Sequence, residues 1–385
     1  MTRLDVRTIS PDDHRAFVDR LSASGQPSAS FLQVPAWGEV KSEWQRESIG
    51  WHRDGELVGV GLVLYRQLPK LKRYLAYLPE GPVIEWDDDD LDNWLVPMVD
   101  HLRGKGAFGI RMGPPVVCRR WDAAAVKQGI ADDTVRKLEE VPPVVRENLG
   151  ARVASQLHEL GWQQQRAEGG FAAGQPQYNF QLPLRDGDGK PRSEDDVLKG
   201  MNQQWRRNIK KAAKEGVTTE RVAADRLEAR LGDFHSLYVH TAERDGFTPR
   251  PKRYFDTMFR ALLAEDPDRI ALFTAEHEGD LVAATILIQV GGHVWYSYGA
   301  SSTEKRDVRG SNAVQWAMIR HALERDADVY DMRGITDTLD ADDPTAGLIR
   351  FKAGTGGEAV EYVGEWDLPV SKALYKAFSL YMSRR

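Results

Sequence analysis

The chain has 385 residues, and its 41% hydrophobic and 29% charged residues describe a soluble globular protein. At roughly 150 residues per domain, that length suits two domains. A net charge of −6 excludes a nucleic-acid binder that works by overall charge, so any anion site must be a local basic patch. A single cysteine, Cys118, excludes an intrachain disulfide framework, and no stretch approaches the ~18 apolar residues of a membrane span. The nine histidines show no HExxH or paired Cys/His spacing, so no metal site is expected. The opening MTRLDVRTISPDDH has no apolar core of signal-peptide type, and a reducing, cytoplasmic setting is expected.

In chain order, residues 12–23 and 35–44 read as helices. DGELVGVGLVL (54–64) puts an acidic/Gly turn before a strand rich in Val and Leu, a hairpin signal. YLAYLPEGPVIEW (74–86) reads as strand and turn, residues 91–106 as an amphipathic helix, and AFGIRMGPP (107–115) as a strand. Residues 119–150 are charged and end near Pro142–Pro143; they predict a helical excursion and a domain boundary.

SEDDVLKGMNQQWRRNIKKAAKEGV (193–217) predicts one long basic helix. Ser193 and Asp196 form a capping-box start, and Gly216 closes the helix. Met201, Trp205, Ile209 and Ala212 or Ala213 share one face, while Arg206, Arg207, Lys210, Lys211 and Lys214 cover much of the rest. Five cations in nine residues of an acidic chain suit a phosphate-rich partner such as a tRNA acceptor stem or a diphosphate headgroup. The plain alternative is a solvated surface helix.

Residues 225–245 and 251–264 read as helices, EGDLVAATILI (278–288) as a second turn-and-strand, HVWYSYGASS (293–302) as a strand, 311–326 as a helix and DVYDMRGIT (328–336) as a strand. GLIRFKAGTGGE (347–358) is not a P-loop, because Lys352 precedes the glycines and EAVEYVGEW, which follows, alternates like a strand. Its glycines read as a flexible turn after an aromatic–lysine segment. The tail VSKALYKAFSLYMSRR (370–385) places Val370, Leu374, Phe378 and Tyr381 on one helical face, with Lys372, Lys376, Arg384 and Arg385 polar or terminal. Docking on its own domain is expected; contact with an anionic membrane surface is the alternative.

The chain therefore repeats itself: helices, hairpin, strand, helix, strand occur twice. This is the order of the acyl-CoA N-acyltransferase (GNAT) fold. The expected class is α/β (α+β), two duplicated GNAT-like domains with the boundary at 150/151. The usual coenzyme A loop, [QR]-x-x-G-x-[GA], corresponds to EKRDVRGSNA (304–313), where Asp307 stands in place of Gln or Arg; the first repeat offers EWDDDDLDN (85–93). Acidic side chains there repel a diphosphate, so coenzyme A is not the expected donor.

Six segments together resemble the Fem transferases (FemA/FemX type), which use aminoacyl-tRNA to extend the peptide of peptidoglycan precursors. They are FLQVPAWGEVK (31–41), WRRNIKKAAKEGV (205–217), GFTPRPKRYF (246–255), YSYGASS (296–302), YDMRGI (330–335) and GLIRFKAGTGGEAVEYVGEWDLP (347–369). No sustained heptads occur, so the chain looks like the form without a coiled-coil arm. The resemblance also implies that the C-terminal segment returns to the first domain, giving domains at 1–150 plus 363–385 and at 151–362. The resemblance implies that Lys41 contacts the precursor diphosphate and that Thr248, Arg250 and Tyr254 hold the same precursor. It also implies that Tyr296 or Tyr298, expected on one side of their strand, touches substrate. Arg206, Arg207, Lys210, Lys211 and Lys214 would meet tRNA, Phe351 would wall the site, and Lys352 would stabilise charge on the reacting ester. No cofactor is implied beyond aminoacyl-tRNA as co-substrate. Two positions depart from the family: Gly113 stands where members often carry an Asp, and Thr355 where a second aromatic is expected. The expected activity is transfer of an amino acid, taken as glycine, to the stem-peptide amine of lipid II or a UDP-linked muropeptide, with peripheral contact at the inner membrane face. A CoA-dependent N-acyltransferase and a non-catalytic tRNA- or precursor-binding protein are the alternatives.

Overall fold

A computed structural model gives the structure, describing residues 4–165, 174–340, 342–343 and 345–382, with the side chains of Tyr381 and Met382 excepted. The chain divides into two compact units. The first holds Met1–Arg120, Pro143–Tyr178 and Val360–Arg385; the second holds Trp121–Pro142 and Asn179–Ala359.

The first unit opens with β1 (Asp5–Thr8) and α1 (Pro11–Ala23). Ser10 caps α1 by accepting from the Asp13 N–H, and Pro11 sits in the first turn, where its missing N–H costs nothing. α2 (Trp37–Val40) is a single turn, shorter than the 35–44 helix expected, because the chain turns at Lys41 and Trp44 N–H returns to the Lys41 carbonyl. β2 (Gln45–Arg53) and β3 (Glu56–Gln67) form the first hairpin, with Asp54 and Gly55 both at positive φ as a tight two-residue turn demands. β4 (Tyr74–Leu78), α3 (Asp92–Gly104) and β5 (Ala107–Met112) follow, β4 running parallel to β5. Next come β6 (Val117–Asp122), α4 (Ala123–Ala131), β7 (Val145–Arg146), α5 (Asn148–Glu159) and β8 (Gln163–Gln165).

The second unit continues with β9 (Tyr178–Pro183), α6 (Glu194–Gly200), α7 (Gln203–Lys214), β10 (Thr218–Arg221), α8 (Leu227–Asp245) and α9 (Lys252–Glu265). β11 (Ile270–His277) and β12 (Asp280–Val290) form the second hairpin, again turning on an acidic residue and a glycine at positive φ, Glu278 and Gly279. β13 (His293–Ser301), α10 (Gly310–Glu324) and β14 (Val329–Gly334) repeat the strand–helix–parallel-strand step. α11 (Ala346–Ala353) and β15 (Glu358–Tyr362) lead out of this unit. β16 (Glu365–Leu368) and α12 (Lys372–Met382) belong to the first. There β16 pairs antiparallel with both β5 and β8, so the first unit's sheet runs β1-β2-β3-β4-β5-β16-β8. Within the second unit the order is β10-β11-β12-β13-β14-β9.

These units divide the chain differently from the 150/151 boundary read in sequence. Val153 and Leu157 of α5 and the following Trp162 are buried in the first core, alongside Trp51, Trp94 and Trp366. The excursion 121–142 belongs instead to the second unit. Its backbone bonds the 337–339 segment at Leu138 N–H to Asp337 O (2.7 Å) and Leu339 N–H to Arg136 O (2.8 Å), and the buried Trp121 indole donates to Val141 O. α12 docks on the first unit, with Phe378 edge-on to Phe108 at 5.4 Å; Arg384 and Arg385 lie outside the described residues, as does the Tyr381 side chain. Among the described residues, no helix is long and apolar enough to cross a membrane.

Candidate functional site

Lys352 sits in the last turn of α11, a helix where the sequence suggests only a short segment. Its side chain is 3% exposed. The ammonium donates to the carbonyl oxygens of Gly334 (2.7 Å) and Arg333 (3.2 Å) at the end of β14. Arg333 holds a left-handed backbone (φ 63°), and its N–H donates to Asp331 Oδ1 at 2.6 Å, which fixes the turn presenting those carbonyls. Asp331 is itself buried, held by Gln181 Nε2 (3.0 Å) and by His293 Nε2 (3.2 Å). Burial lowers the Lys352 ammonium to about 7; the Asp331 charge opposes this and the Arg333 charge adds to it.

The glycines after Lys352 are close-packed rather than flexible. A side chain at Gly354 would run into Trp205 Cδ1, and one at Gly356 (φ 82°) or Gly357 into the backbone of Gly200 or Gln181. Thr355 is fully buried, and its hydroxyl donates to the Lys352 carbonyl at 2.7 Å. Phe351 lies tilted against Trp205, ring centroids 4.8 Å apart, and accepts the indole N–H on its carbonyl at 2.8 Å.

The basic helix is two helices. α6 ends at Gly200, Met201 is buried in extended backbone, and Asn202 caps α7 by accepting from the Trp205 N–H. Arg206 is not a free cation: its guanidinium donates to the carbonyls of Lys199 (3.0 Å) and Met201 (2.7 Å), closing the end of α6. Arg207, Lys210 and Lys214 are exposed, and Lys211 lies 3.9 Å from Asp307.

Around α9 the structure gathers Arg250, Tyr254 and Tyr298. The Arg250 guanidinium lies 5.4 Å from the Tyr254 ring centre, and the Tyr298 hydroxyl donates to that of Tyr254 at 3.2 Å. Thr248 is exposed in the segment before α9. Tyr296 does not join them. A β-bulge pairs Ile286 with Tyr298 but Leu287 with Tyr296. Paired residues share a sheet face and consecutive ones alternate, so the two tyrosines point to opposite faces, against the one-sided placement expected. Tyr298 faces α8 and α9, packed on Tyr238 and Phe255.

In the first unit, Lys41 closes α2 with its ammonium 5.5 Å from the Trp37 ring centre. Cys118 is half-buried and its thiol is pushed up to about 12 by burial and the Glu361 charge, which removes it as a nucleophile at neutral pH. Among the described residues, no group of three or more His, Cys, Asp or Glu is placed to hold a metal ion.

The FemAB family model matches residues 9–266 and 264–382. The chain belongs to the FemAB family. It is 24% identical to lipid II:glycine glycyltransferase of Staphylococcus aureus (strain MRSA252), over 96% of this chain and 93% of that protein. The crystal structure of FemX superposes with a TM-score of 0.78 at 23% identity, covering 97% and 99% of the two chains. A tandem GNAT protein from the clavulanic acid biosynthesis pathway superposes at 0.52 and 12% identity over 96% and 99%, in keeping with duplicated GNAT-like domains.

Two residues of this FemAB protein have roles that the sequence does not announce. Trp205 reads in sequence only as part of an apolar face, and its indole bond to Phe351 spans 146 positions with no local signal. Glu365 reads only as part of a strand. A Cβ on Gly113 would stand 3.3 Å from Glu365 Cγ, so a carboxyl group from β16 lies against the position where Gly113 lacks one. Burial raises the Glu365 carboxyl, although the Tyr77 hydroxyl and the Gln175 N–H both donate to it. Tyr77 packs in turn against Trp44, at the turn that follows Lys41.

Proposed function

We propose that this FemAB protein transfers an amino acid, glycine, from aminoacyl-tRNA to the stem-peptide amine of lipid II. The observation that carries the reading is the near-full-length match to a lipid II:glycine glycyltransferase, and the seating of Lys352 supplies its chemistry. The free amine of the precursor attacks the ester carbonyl of the charged tRNA. The C–N bond forms, the bond from carbonyl carbon to ribose oxygen breaks, and the amine's proton leaves as the ribose hydroxyl is restored. An ester is already activated, so no covalent enzyme intermediate or cofactor is needed.

Lys352 uses two of its three N–H donors on backbone carbonyls, which leaves one for a substrate oxygen. A cation fixed in a desolvated site stabilises the oxyanion that develops on the ester with little reorganisation. Arg250, Tyr254 and Tyr298 supply a planar cation and two hydroxyls for the precursor, and the exposed cations of α7 the tRNA phosphates. Holding both large substrates in attack geometry is the remainder of the work. On this reading the protein works in the cytoplasm, at the inner face of the membrane where a lipid-linked precursor is presented.

The test supplies each donor with each acceptor: glycyl-, alanyl- and seryl-tRNA or acetyl-CoA, with lipid II or the UDP-linked pentapeptide. Product from glycyl-tRNA and lipid II is expected. Product from acetyl-CoA alone, or binding of charged tRNA and lipid II with no transfer, would overturn the reading.

A further inference from the structure

We infer that Trp205 is a positioning residue that ties engagement of the basic helix α7 to the placement of Lys352. The inference rests on the proposed function, in which α7 meets RNA phosphates and Lys352 acts on the ester.

The last carbonyls of a helix have no partner inside it. At the end of α11, two carbonyls flanking Lys352 are satisfied from the start of α7. Phe351 O accepts from the Trp205 indole at 2.8 Å, and Gly354 O accepts from the Asn202 N–H at 2.9 Å. The Phe351 carbonyl belongs to the peptide group joining Phe351 to Lys352, so the indole grips the lysine's own backbone. Lys352 O is held separately by Thr355. Trp205 is buried, and Gly354 leaves no room for even a methyl group against its ring, so the joint has little slack.

The opposite side of α7 carries Arg207 and Lys210, with Lys214 one turn further on, all exposed. Asn208 bonds Asn312 of α10 at 3.2 Å, and Arg206 ties the helix start to the end of α6. One short helix thus has cations outside and, within two residues of Arg207, an indole gripping α11. A shift of α7 as its cations meet phosphate moves the Phe351 carbonyl, and with it the Lys352 ammonium, relative to the Arg333 and Gly334 carbonyls and the charges of Asp331 and Arg333.

Trp205→Phe keeps a ring and removes the N–H; benzothienylalanine at 205 keeps the full bicyclic shape and removes only the N–H, so it tests the bond even where phenylalanine perturbs folding. Both are compared with the wild type, with Lys352→Met and with the combined Arg207→Ala, Lys210→Ala, Lys214→Ala variant. The readouts are single-turnover transfer, KM for glycyl-tRNA, the pH profile and the melting temperature. The expected result is a fall in kcat of about 5- to 30-fold, the rate equivalent of removing one hydrogen bond, with KM for tRNA unchanged and the alkaline pH limb displaced. Wild-type kcat and pH profile in the benzothienylalanine protein, or a loss confined to melting temperature, would overturn the inference while leaving the function standing. Near-wild-type transfer by Lys352→Met would instead sink the function on which it rests.

Discussion

Lys352 Nζ donates to the carbonyl oxygen of Gly334 at 2.7 Å. A neutral acceptor holds the ammonium in place without neutralising it, whereas a paired carboxylate would cancel its charge and raise its pKa. With burial lowering the group to about 7, the lysine is cationic below that pH and neutral above it. The cation is the form that stabilises an oxyanion, so kcat/KM for glycyl-tRNA is expected to decline as pH rises through about 7, the free-enzyme value. Lys352→Arg, which stays charged, loses this alkaline limb whatever its absolute rate. Short assays across a pH range bracketing that value, corrected for ester hydrolysis, make the comparison.

The cations of α7 separate into two kinds. Arg207→Ala, Lys210→Ala and Lys214→Ala each raise KM for tRNA and flatten its dependence on log salt by about 0.7–0.9 for each phosphate no longer neutralised. Arg206→Ala acts on the fold: it strips two carbonyls at the end of α6 of a charged donor and lowers stability by about 1–3 kcal/mol. Salt titrations of tRNA binding, beside thermal melts, distinguish them.

The bulge in β13 makes the tyrosines unequal. Tyr254→Phe and Tyr298→Phe each remove a hydroxyl from the Arg250 cluster and are expected to weaken precursor binding by about 5-fold, near 1 kcal/mol. Tyr296→Phe, on the other face, leaves that affinity unchanged. Calorimetry with a soluble precursor analogue measures all three.

Thr355 occupies a sealed position, so the aromatic expected there by family pattern has no space. Thr355→Phe is expected to destabilise by about 1–3 kcal/mol or more through overpacking. Thr355→Val, of equal size, costs about 1–2 kcal/mol by removing the bond to the Lys352 carbonyl. Denaturant unfolding of the two variants reads both costs.

Much of this architecture is legible in sequence because it is local. Asp54–Gly55 and Glu278–Gly279 announce their hairpins, and the strand–helix–strand step after each recurs in the same order. The break between α6 and α7 has a signal that periodicity masks: Gly200 followed by Asn202 is a helix stop and a fresh N-cap. Three features are not readable. The β13 bulge depends on pairing with β12, the membership of 121–142 in the second unit on bonds to 337–339, and the packing of Gly354 on a tryptophan about 150 residues away. The candidate lysine, Lys352, is singled out only by family pattern. Its carbonyl partners, which hold the ammonium in place, are presented by a left-handed Arg333 that no sequence rule predicts.

The most direct measurement is the single-turnover rate of glycyl transfer from glycyl-tRNA to lipid II by Lys352→Met. Methionine keeps the length of the buried chain and removes its charge but leaves the Arg333 and Gly334 carbonyls without that donor, a cost of about 1–3 kcal/mol, so the rate is read below the variant's own melting temperature. The expected rate is lower by about 10²–10³-fold, with lipid II and tRNA binding retained. A rate close to wild type would contradict it.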